Sequence, residues 1–149
     1  MPINECCSTN AVFCDPEAPV TDVAALMRKH HVGAVVVAEQ REQGTVPVGI
    51  VTDRDIVMET IALQVDVTVF TAGDLMTSPV VTAREDEGLI ETLRHMRDRK
   101  VRRMPVVTHT GTLYGVVSAD DIINLLAMEL SLVTGTIVEQ QVNEEKYRK

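Results

Sequence analysis

The chain has 149 residues, of which 45% are hydrophobic and 24% charged, a balance typical of a globular protein rather than a disordered one. Its formal net charge of −8 argues against a surface for nucleic acid or anionic membranes, because phosphates would be repelled before specific contacts formed. A small anionic ligand remains compatible with this charge, since a few local cations and backbone N–H groups can outweigh a distant net charge.

The sequence repeats itself, which predicts a duplicated structural unit. Three segments of the first half return in the same order in the second half: residues 6–12 as 75–81, residues 27–32 as 96–101, and residues 49–56 (GIVTDRDI) as 115–122 (GVVSADDI). The copies differ in length mainly between Val37 and Gly49, where the first has a longer loop. A loop is where a duplicated domain tolerates insertion best, so two copies of one unit fill almost the whole chain.

The first repeat, residues 4–63, is predicted to form a β-α-β-β-α unit. Its elements in chain order are a strand at 11–13, a helix at 20–30, strands at 34–38 and 48–51, and a closing helix at 53–63. From Val20 onward, apolar residues fall at the i, i+3, i+4 and i+7 spacing of an amphipathic helix. The continuous apolar run of the second strand is typical of a strand covered on both faces, and the polar connection 39–47 after it predicts a hairpin.

The second repeat, residues 74–132, gives the same pattern. It is predicted to contain a strand at 80–82, a helix at 88–99, strands at 104–107 and 113–117, and a closing helix at 119–132. Residues 64–73 are interpreted as a linker and residues 133–149 as a polar C-terminal tail. The predicted fold class is therefore a mixed α/β (α+β) fold made of two tandem β-α-β-β-α repeats.

In each repeat, a hydroxyl followed three residues later by a carboxylate stands where the last strand gives way to the closing helix. These pairs are Thr52 with Asp55 and Ser118 with Asp121. A hydroxyl beside the free N–H groups of a helix start suits an anion, and one carboxylate can accept hydrogen bonds from two neighbouring hydroxyls. The alternative is that the hydroxyls are helix caps followed by first-turn acids. Caps alone do not require an Asp at that third position, which favours a ligand site.

The closing phrases resemble those of the CBS domain pair, also called a Bateman module. GIVTDRD (49–55) and GVVSADD (115–121) match that family's glycine, two apolar residues, Thr or Ser, two free positions and Asp, and RRMPV (102–106) is similar to its second-strand phrase. The resemblance covers about residues 4–132 and is strongest to stand-alone bacterial members. It implies that the two units pack through their sheets around a pseudo-twofold axis, that two clefts between them bind adenosine-containing ligands, and that two such pairs form a disc-shaped homodimer.

The resemblance also implies which residues bind the ligand. A carboxylate would accept the two ribose hydroxyls, a hydroxyl and nearby cations would bind phosphate, and apolar positions would line an adenine slot. In that order the residues are Asp55 and Asp121; Thr52, Ser118, Arg54, Arg102 and Arg103; and Phe13, Cys14, Val35, Val36, Thr82, Ala83, Met104 and Pro105.

The two sites are expected to be unequal. Arg54 lies inside the first motif, where the family often has a cation close to the phosphate, whereas its counterpart in the second motif is Asp120. A phosphate-bearing ligand should therefore prefer the first site. Arg102 and Arg103 could restore the balance in a shared cleft, and the alternative is that they are two solvated arginines at a strand edge.

The expected function is a non-enzymatic sensor with no obligatory cofactor and an adenine nucleotide, NAD or S-adenosylmethionine as regulatory ligand. No Ser-His-Asp order, phosphate-binding glycine loop or HExxH motif is present, and Cys6, Cys7 and Cys14 lack metal-site spacing. The start carries no visible signal peptide and no run approaches 18 apolar residues, so a cytoplasmic protein with no membrane segment is expected. The apolar closing helices predict a homodimer, and an unidentified regulated protein is a further expected partner. The alternative is a constitutive dimerisation scaffold whose ligand sites have lapsed.

Overall fold

The structure, a computed structural model, describes residues 1–147. The first repeat consists of a short strand, a helix, a hairpin and a closing helix that ends in a π-helical turn: β1 (Phe13–Cys14), α1 (Val20–His30), β2 (Ala34–Arg41), β3 (Gly44–Thr52), α2 (Asp53–Ile56) and the turn Val57–Ile61. Strand β1 pairs in parallel with β2, and β2 pairs antiparallel with β3. The predicted β-α-β-β-α unit is confirmed.

The second repeat has the same topology after a one-turn helix in the linker. The linker helix is α3 (Ala72–Leu75), and the elements that follow are β4 (Ala83–Arg84), α4 (Leu89–Arg99), β5 (Arg103–Val107), β6 (Leu113–Ser118) and α5 (Ala119–Tyr147). Each repeat therefore has its own three-stranded sheet, with the long middle strand between a parallel and an antiparallel neighbour.

Helices α1 and α4 form where the apolar periodicity predicts them. Helix α1 buries Val20, Val23 and Met27, and its predicted bounds are confirmed at both ends. Both helices end at equivalent residues in the left-handed region, His31 with φ 54° and Lys100 with φ 55°. Cations in the last turn of each helix interact favourably with the negative, C-terminal end of the helix dipole.

Some predicted boundaries are wrong. The first strand of each repeat lies about two residues later than predicted, at β1 and β4. The supposed polar connection 39–47 is mostly strand, because β2 continues to Arg41 and β3 begins at Gly44, whose φ is 124°. Polar residues at the tip of an exposed hairpin still pair through their backbones, and a side-chain bond of 2.9 Å from Gln40 to Thr45 supports the pairing.

The closing helices differ from the prediction in opposite directions. Helix α2 and its π-helical turn end at Ile61 rather than at residue 63. Helix α5 is 29 residues long and ends at Tyr147 rather than at residue 132. The expected polar tail is therefore helical as far as Tyr147, because it contains no proline and is rich in good helix formers such as Glu and Gln. The last two residues of that tail, Arg148 and Lys149, lie outside the described residues.

Helix α5 also changes the expectation about membranes. Within residues 1–147 it is the one helix long and apolar enough to cross a membrane by length and composition, and only 6% of its most apolar 18-residue stretch is buried. The expectation of no such segment rests on counting consecutive apolar residues. Polar residues such as Asn124 and Ser131 interrupt that run without making the helix polar on average.

The segment that precedes each repeat packs into the core of the other repeat. Ile3 is fully buried in the core of the second repeat, and Ala72, its equivalent, is fully buried in the core of the first. Ser8 then forms an isolated bridge with a residue of β6, and Thr77 forms one with a residue of β3. This reciprocal exchange interlocks the repeats, and strand β3 contacts strand β6 between the two sheets.

The glycine that opens each repeated phrase is explained by these bridges. A Cβ atom on Gly49 would collide with the side chain of Met76, and one on Gly115 would collide with the backbone carbonyl oxygen of Ser8. Only glycine permits the two crossing segments, residues 3–8 and 72–77, to approach strands β6 and β3 so closely. The bridges bring the crossing segments directly beside the two strand ends that carry Thr52 and Ser118.

Candidate functional site

Two clefts lie at the junction of the repeats, and each takes residues from both. The Thr52 cleft has a volume of about 550 Å³ and is lined by Ile50, Thr52, Asp53, Arg54 and Asp55 of the first repeat, Thr77 of the crossing segment, and Lys100, Val101, Arg102, Arg103 and Asp120 of the second repeat. The Ser118 cleft has a volume of about 380 Å³ and is lined by Val116, Ser118, Asp120, Asp121 and Arg103 of the second repeat, and by Ser8, Asn10, Ala11, Val12, His31, Val32, Gly33 and Ala34. Both volumes lie in the range of small-molecule sites.

The motif residues are held in reciprocal caps. In the Thr52 cleft, the Asp55 amide donates to Thr52 Oγ1 at 3.1 Å, and the Thr52 amide donates to Asp55 Oδ2 at 2.9 Å. In the Ser118 cleft, the Asp121 amide donates to Ser118 Oγ at 3.1 Å, and the Ser118 amide donates to Asp121 Oδ2 at 3.0 Å. The predicted N-cap positions are confirmed.

These caps overturn one step of the sequence argument. An acid at the third helical position accepts the N-cap amide in a capping box, so capping by itself does explain an Asp there. Thr71 and Asp74 form a third such box at the start of α3, and neither residue lines the two clefts. The Thr/Ser-x-x-Asp spacing therefore does not on its own indicate a ligand.

The caps leave part of each motif free. Within residues 1–147, Oδ1 of Asp55 and Oδ1 of Asp121 form no hydrogen bond, so each is an available acceptor facing its cleft. The hydroxyls differ, because Ser118 Oγ donates to Asp121 Oδ2 at 2.6 Å whereas Thr52 Oγ1 only accepts. The Thr52 hydroxyl proton is thus free to donate to an anion.

The charges around the clefts differ in sign. Four cations line the Thr52 cleft against three carboxylates: Arg54, Lys100, Arg102 and Arg103 against Asp53, Asp55 and Asp120. The Ser118 cleft has one permanent cation, Arg103, against the two carboxylates of Asp120 and Asp121. An ion pair of 3.1 Å joins Arg102 Nη2 to Asp120 Oδ1, with both side chains largely exposed. The Thr52 cleft is the more favourable of the two for an anion.

The structure does not bring the residues predicted for the adenine slots into the two clefts. Phe13, Cys14, Val35, Val36, Thr82, Ala83, Met104 and Pro105 line neither cleft. Five of them, Cys14, Val35, Val36, Ala83 and Met104, are buried hydrophobic residues of the protein interior instead. The apolar lining of the Ser118 cleft comes about two residues earlier, from Ala11 and Val12 before β1 and from Val32 to Ala34 at the start of β2. The residues just before β1 therefore line the Ser118 cleft, whereas those just before β4 are not in the lining of the Thr52 cleft.

Two pairs of lining residues were not predicted. His31 and Lys100 occupy equivalent helix ends, and Ser8 and Thr77 occupy equivalent places in the crossing segments. The signal that could have identified them is the alignment of the two copies, which places a polar residue at the same position twice.

The three cysteines have protonated thiols at neutral pH. Burial raises the pKa of Cys6 and Cys7, and burial together with the nearby Asp15 raises the pKa of Cys14 to about 11. Thiols of this kind are poor metal ligands and poor nucleophiles. Within residues 1–147, no group of three or more His, Cys, Asp or Glu residues is placed to bind a metal ion.

Comparisons with known proteins agree with this architecture. The family model of the CBS domain matches residues 3–61 and 72–128, more than half of the chain. An uncharacterized protein of Methanopyrus kandleri, MK0525, is 30% identical over 123 residues, which cover 83% of this chain but only 61% of that relative. The chain therefore spans less than two thirds of that relative's length.

Solved structures show the same fold. The hexameric CBS-CP12 protein from bloom-forming cyanobacteria is 28% identical, with a TM-score of 0.74 over 83% of this chain and 69% of that one. The CBS domain pair of protein MJ0100 in complex with 5′-methylthioadenosine and S-adenosyl-L-methionine is 25% identical, with a TM-score of 0.73 over 85% of this chain and 99% of that one.

Proposed function

The chain belongs to the CBS domain family, and we propose that it is a non-enzymatic regulatory module that binds an adenosine-containing ligand in the clefts between its repeats. The observation that carries the proposal is the pair of clefts, each with a free carboxylate oxygen and a half-buried hydroxyl supplied by equivalent residues. The binding of two adenosyl compounds by the CBS pair of MJ0100 supports this ligand class.

In the proposed complex, Asp55 and Asp121 each accept hydrogen bonds from the ribose hydroxyls through Oδ1. Their Oδ2 atoms remain in the caps, which hold the carboxylates in position before the ligand arrives. Thr52 and Arg54 bind the phosphate in the Thr52 cleft. The adenine lies against apolar residues contributed by the opposite repeat, such as Ala11 and Val12 in the Ser118 cleft.

The test is a thermal-shift screen against AMP, ADP, ATP, NAD and S-adenosylmethionine, followed by titration calorimetry. Asp55→Ala combined with Asp121→Ala should weaken binding by about 1.5–3 kcal/mol per cleft, the scale of a charged hydrogen bond. Asp74→Ala is the matched control, because it removes the same kind of capping acid outside both clefts. Unchanged affinity in the double variant would show that these carboxylates do not bind the ligand.

The competing function is a constitutive dimerisation scaffold with lapsed sites. It is favoured by the capping boxes, which account for Thr52, Asp55, Ser118 and Asp121 without any ligand. A dimer that copurifies empty and shows no thermal shift with any of the five compounds would establish the scaffold and refute the sensor.

We also propose that a second copy of the chain covers the closing helices. In helix α5, Ile123, Leu126, Leu130, Val133 and Ile137 follow a helical stripe, and each is at least 45% exposed. Val57, Met58 and Ile61 are similarly exposed beside α2 in the first repeat. A copy suits this surface better than lipid, because Glu129 and Glu139 would place charges inside a membrane at about 2.5–3.5 kcal/mol for an acid at its centre. We propose a cytoplasmic location, a reducing compartment that suits the three free cysteines.

Light scattering tests the assembly. A mass of twice 16.4 kDa or a higher multiple is expected at micromolar concentration, and Leu130→Glu should lower it. Ser131→Glu adds the same charge to an exposed position of the same helix outside the stripe and should leave the mass unchanged. A mass near 16.4 kDa for the unaltered chain, or extraction only with detergent, would contradict the proposed dimer.

In the proposed mechanism, the ligand regulates by favouring one arrangement of the repeats or of the two copies. It can do so only through its different affinities for the two arrangements, typically a 5- to 150-fold ratio. The crossing segments contact both clefts, and each packs into the core of the opposite repeat. A ligand that increases the separation of the repeats would therefore displace both closing helices at the same time. The regulated partner would respond to that movement.

A further inference from the structure

Arg103 lines both clefts, although the duplication assigns it to only one. Most lining residues of one cleft have an equivalent in the other, as Ser8 has Thr77 and His31 has Lys100. Asp120, the equivalent of Arg54, is like Arg103 in lining both clefts. The equivalent of Arg103 is Ala34, which lines only the Ser118 cleft. By the symmetry of the repeats, Arg103 should therefore line only the Thr52 cleft, and its presence in the Ser118 cleft breaks that symmetry.

Gly33 makes this reach possible. Nη2 and Cζ of Arg103 lie 3.0 Å and 3.5 Å from the position that a Cβ on Gly33 would occupy, and Asp53 Oδ2 lies 3.3 Å from the same point. The guanidinium thus fills the space where the first repeat has no side chain. The guanidinium therefore lies between the two clefts and belongs to the lining of both.

The guanidinium is also free to bind an anion. Within residues 1–147, Arg103 forms no salt bridge and no side-chain hydrogen bond, whereas its neighbour Arg102 is paired with Asp120. Arg103 is half-buried, so its charge is less screened than that of a fully exposed side chain. It is moreover the one permanent cation among the residues that line the Ser118 cleft.

We propose that Arg103 is a single anion-binding residue shared by the two clefts, so that a phosphate-bearing ligand in one cleft weakens the binding of a second in the other. The inference rests on the proposed function and adds the coupling between its sites. One guanidinium can form its paired hydrogen bonds with one phosphate at a time. When Arg103 binds a phosphate in the Thr52 cleft, the remaining charged residues of the Ser118 cleft are Asp120 and Asp121, with no permanent cation among its lining residues.

Titration calorimetry with AMP tests the coupling, because unequal sites alone would also give two binding steps. Asp55→Ala weakens the Thr52 cleft and leaves Arg103 available to the other. The Ser118 cleft should then bind AMP about 5- to 10-fold more tightly than it does as the second step in the unaltered chain, toward the lower end of usual couplings because solvent screens the charge. In an Arg103→Gln background, adding Asp55→Ala should leave that affinity unchanged.

Two further variants sharpen the result. Gly33→Ala brings a methyl group to 3.0 Å from Nη2 of Arg103, so the guanidinium must shift and the coupling should fall. Arg97→Gln removes the same charge from an exposed position on α4 and should leave the coupling intact. Circular dichroism would confirm that each variant folds.

The outcomes separate the two proposals. If AMP binds both clefts and the Ser118 affinity is the same with and without Asp55→Ala, the shared role of Arg103 is wrong and the proposed function stands. Coupling that persists undiminished in both Arg103→Gln and Gly33→Ala also overturns it. If neither AMP nor any other compound of the screen binds the unaltered chain, both proposals fail.

Discussion

The two clefts share a frame but differ in charge. In each, a hydroxyl and an Asp close a capping box at the end of a sheet, and a crossing segment bridges the adjacent strand. Between the hydroxyl and the Asp the residues differ: Arg54 lines only the Thr52 cleft, whereas its equivalent Asp120 lines both clefts. The two copies thus retain the cap residues, with their free carboxylate oxygen, and the glycine, and they differ in the charged residues that surround them.

The largest expected effect is on the shared frame. Gly115→Ala should lower the free energy of unfolding by about 1–3 kcal/mol or more, because its Cβ would meet the rigid carbonyl oxygen of Ser8. Gly49→Ala should cost less, since part of the obstacle is the flexible end of the Met76 side chain. Urea denaturation measures both.

The control for the glycine variants is Gly135→Ala in helix α5. Nothing lies within 4 Å of a Cβ at that position, so alanine should raise stability by up to about 1 kcal/mol through its helix propensity. A Gly115→Ala protein as stable as the unaltered chain would mean that the crossing segment is not held against β6 in solution.

The next effect separates the clefts by charge. Arg54→Ala should weaken the tighter AMP site by tens-fold at most, since solvent and salt reduce the contribution of an exposed guanidinium. Asp120→Ala should strengthen the weaker site, because it removes a negative charge from the lining of the Ser118 cleft. Asp120 also lines the Thr52 cleft and pairs with Arg102, so some gain is expected there as well. Titration calorimetry at low and high salt measures both changes. Two indistinguishable sites in the unaltered chain, or a tighter Ser118 cleft, would contradict the predicted asymmetry.

Much of the fold could be predicted because the sequence states it twice. Helix α1 was predicted to the residue from its apolar spacing, and the repeated phrase located both strand ends and both caps. The lengths of strands and helices were harder to predict where their ends are exposed to solvent. The hairpin tip at Arg41 and Gly44 is held by backbone hydrogen bonds between exposed polar residues, which have no hydrophobic period. In the outer half of helix α5, apolar residues such as Val133 and Ile137 are exposed among polar ones, so no burial marks where the helix ends.

The candidate site was predicted for its charged and hydroxyl residues but not for its apolar ones. Thr52, Arg54 and Asp55 line a cleft because a motif fixes them at a helix start. The adenine slot had no such marker and was placed only by its position in the resembling family. That position gave Phe13 and Cys14, whereas Ala11 and Val12 line the Ser118 cleft and Cys14 is buried. The reach of Arg103 across Gly33 is a tertiary contact that no local pattern encodes.

The smallest expected effect compares the first strands of the two repeats. Cys14 in β1 and Ala83 in β4 are equivalent and buried, and burial together with Asp15 raises the pKa of the Cys14 thiol to about 11. The folded chain keeps this proton at a pH where the unfolded chain loses it, so the stabilisation is complete below pH 9 and decreases as pH rises toward 11. Cys14→Ala, which copies the second repeat, should reduce the loss of unfolding free energy between pH 8 and pH 10 by up to about 1 kcal/mol, measured by urea denaturation. An identical loss in both proteins would show that the thiol is open to solvent in the folded chain.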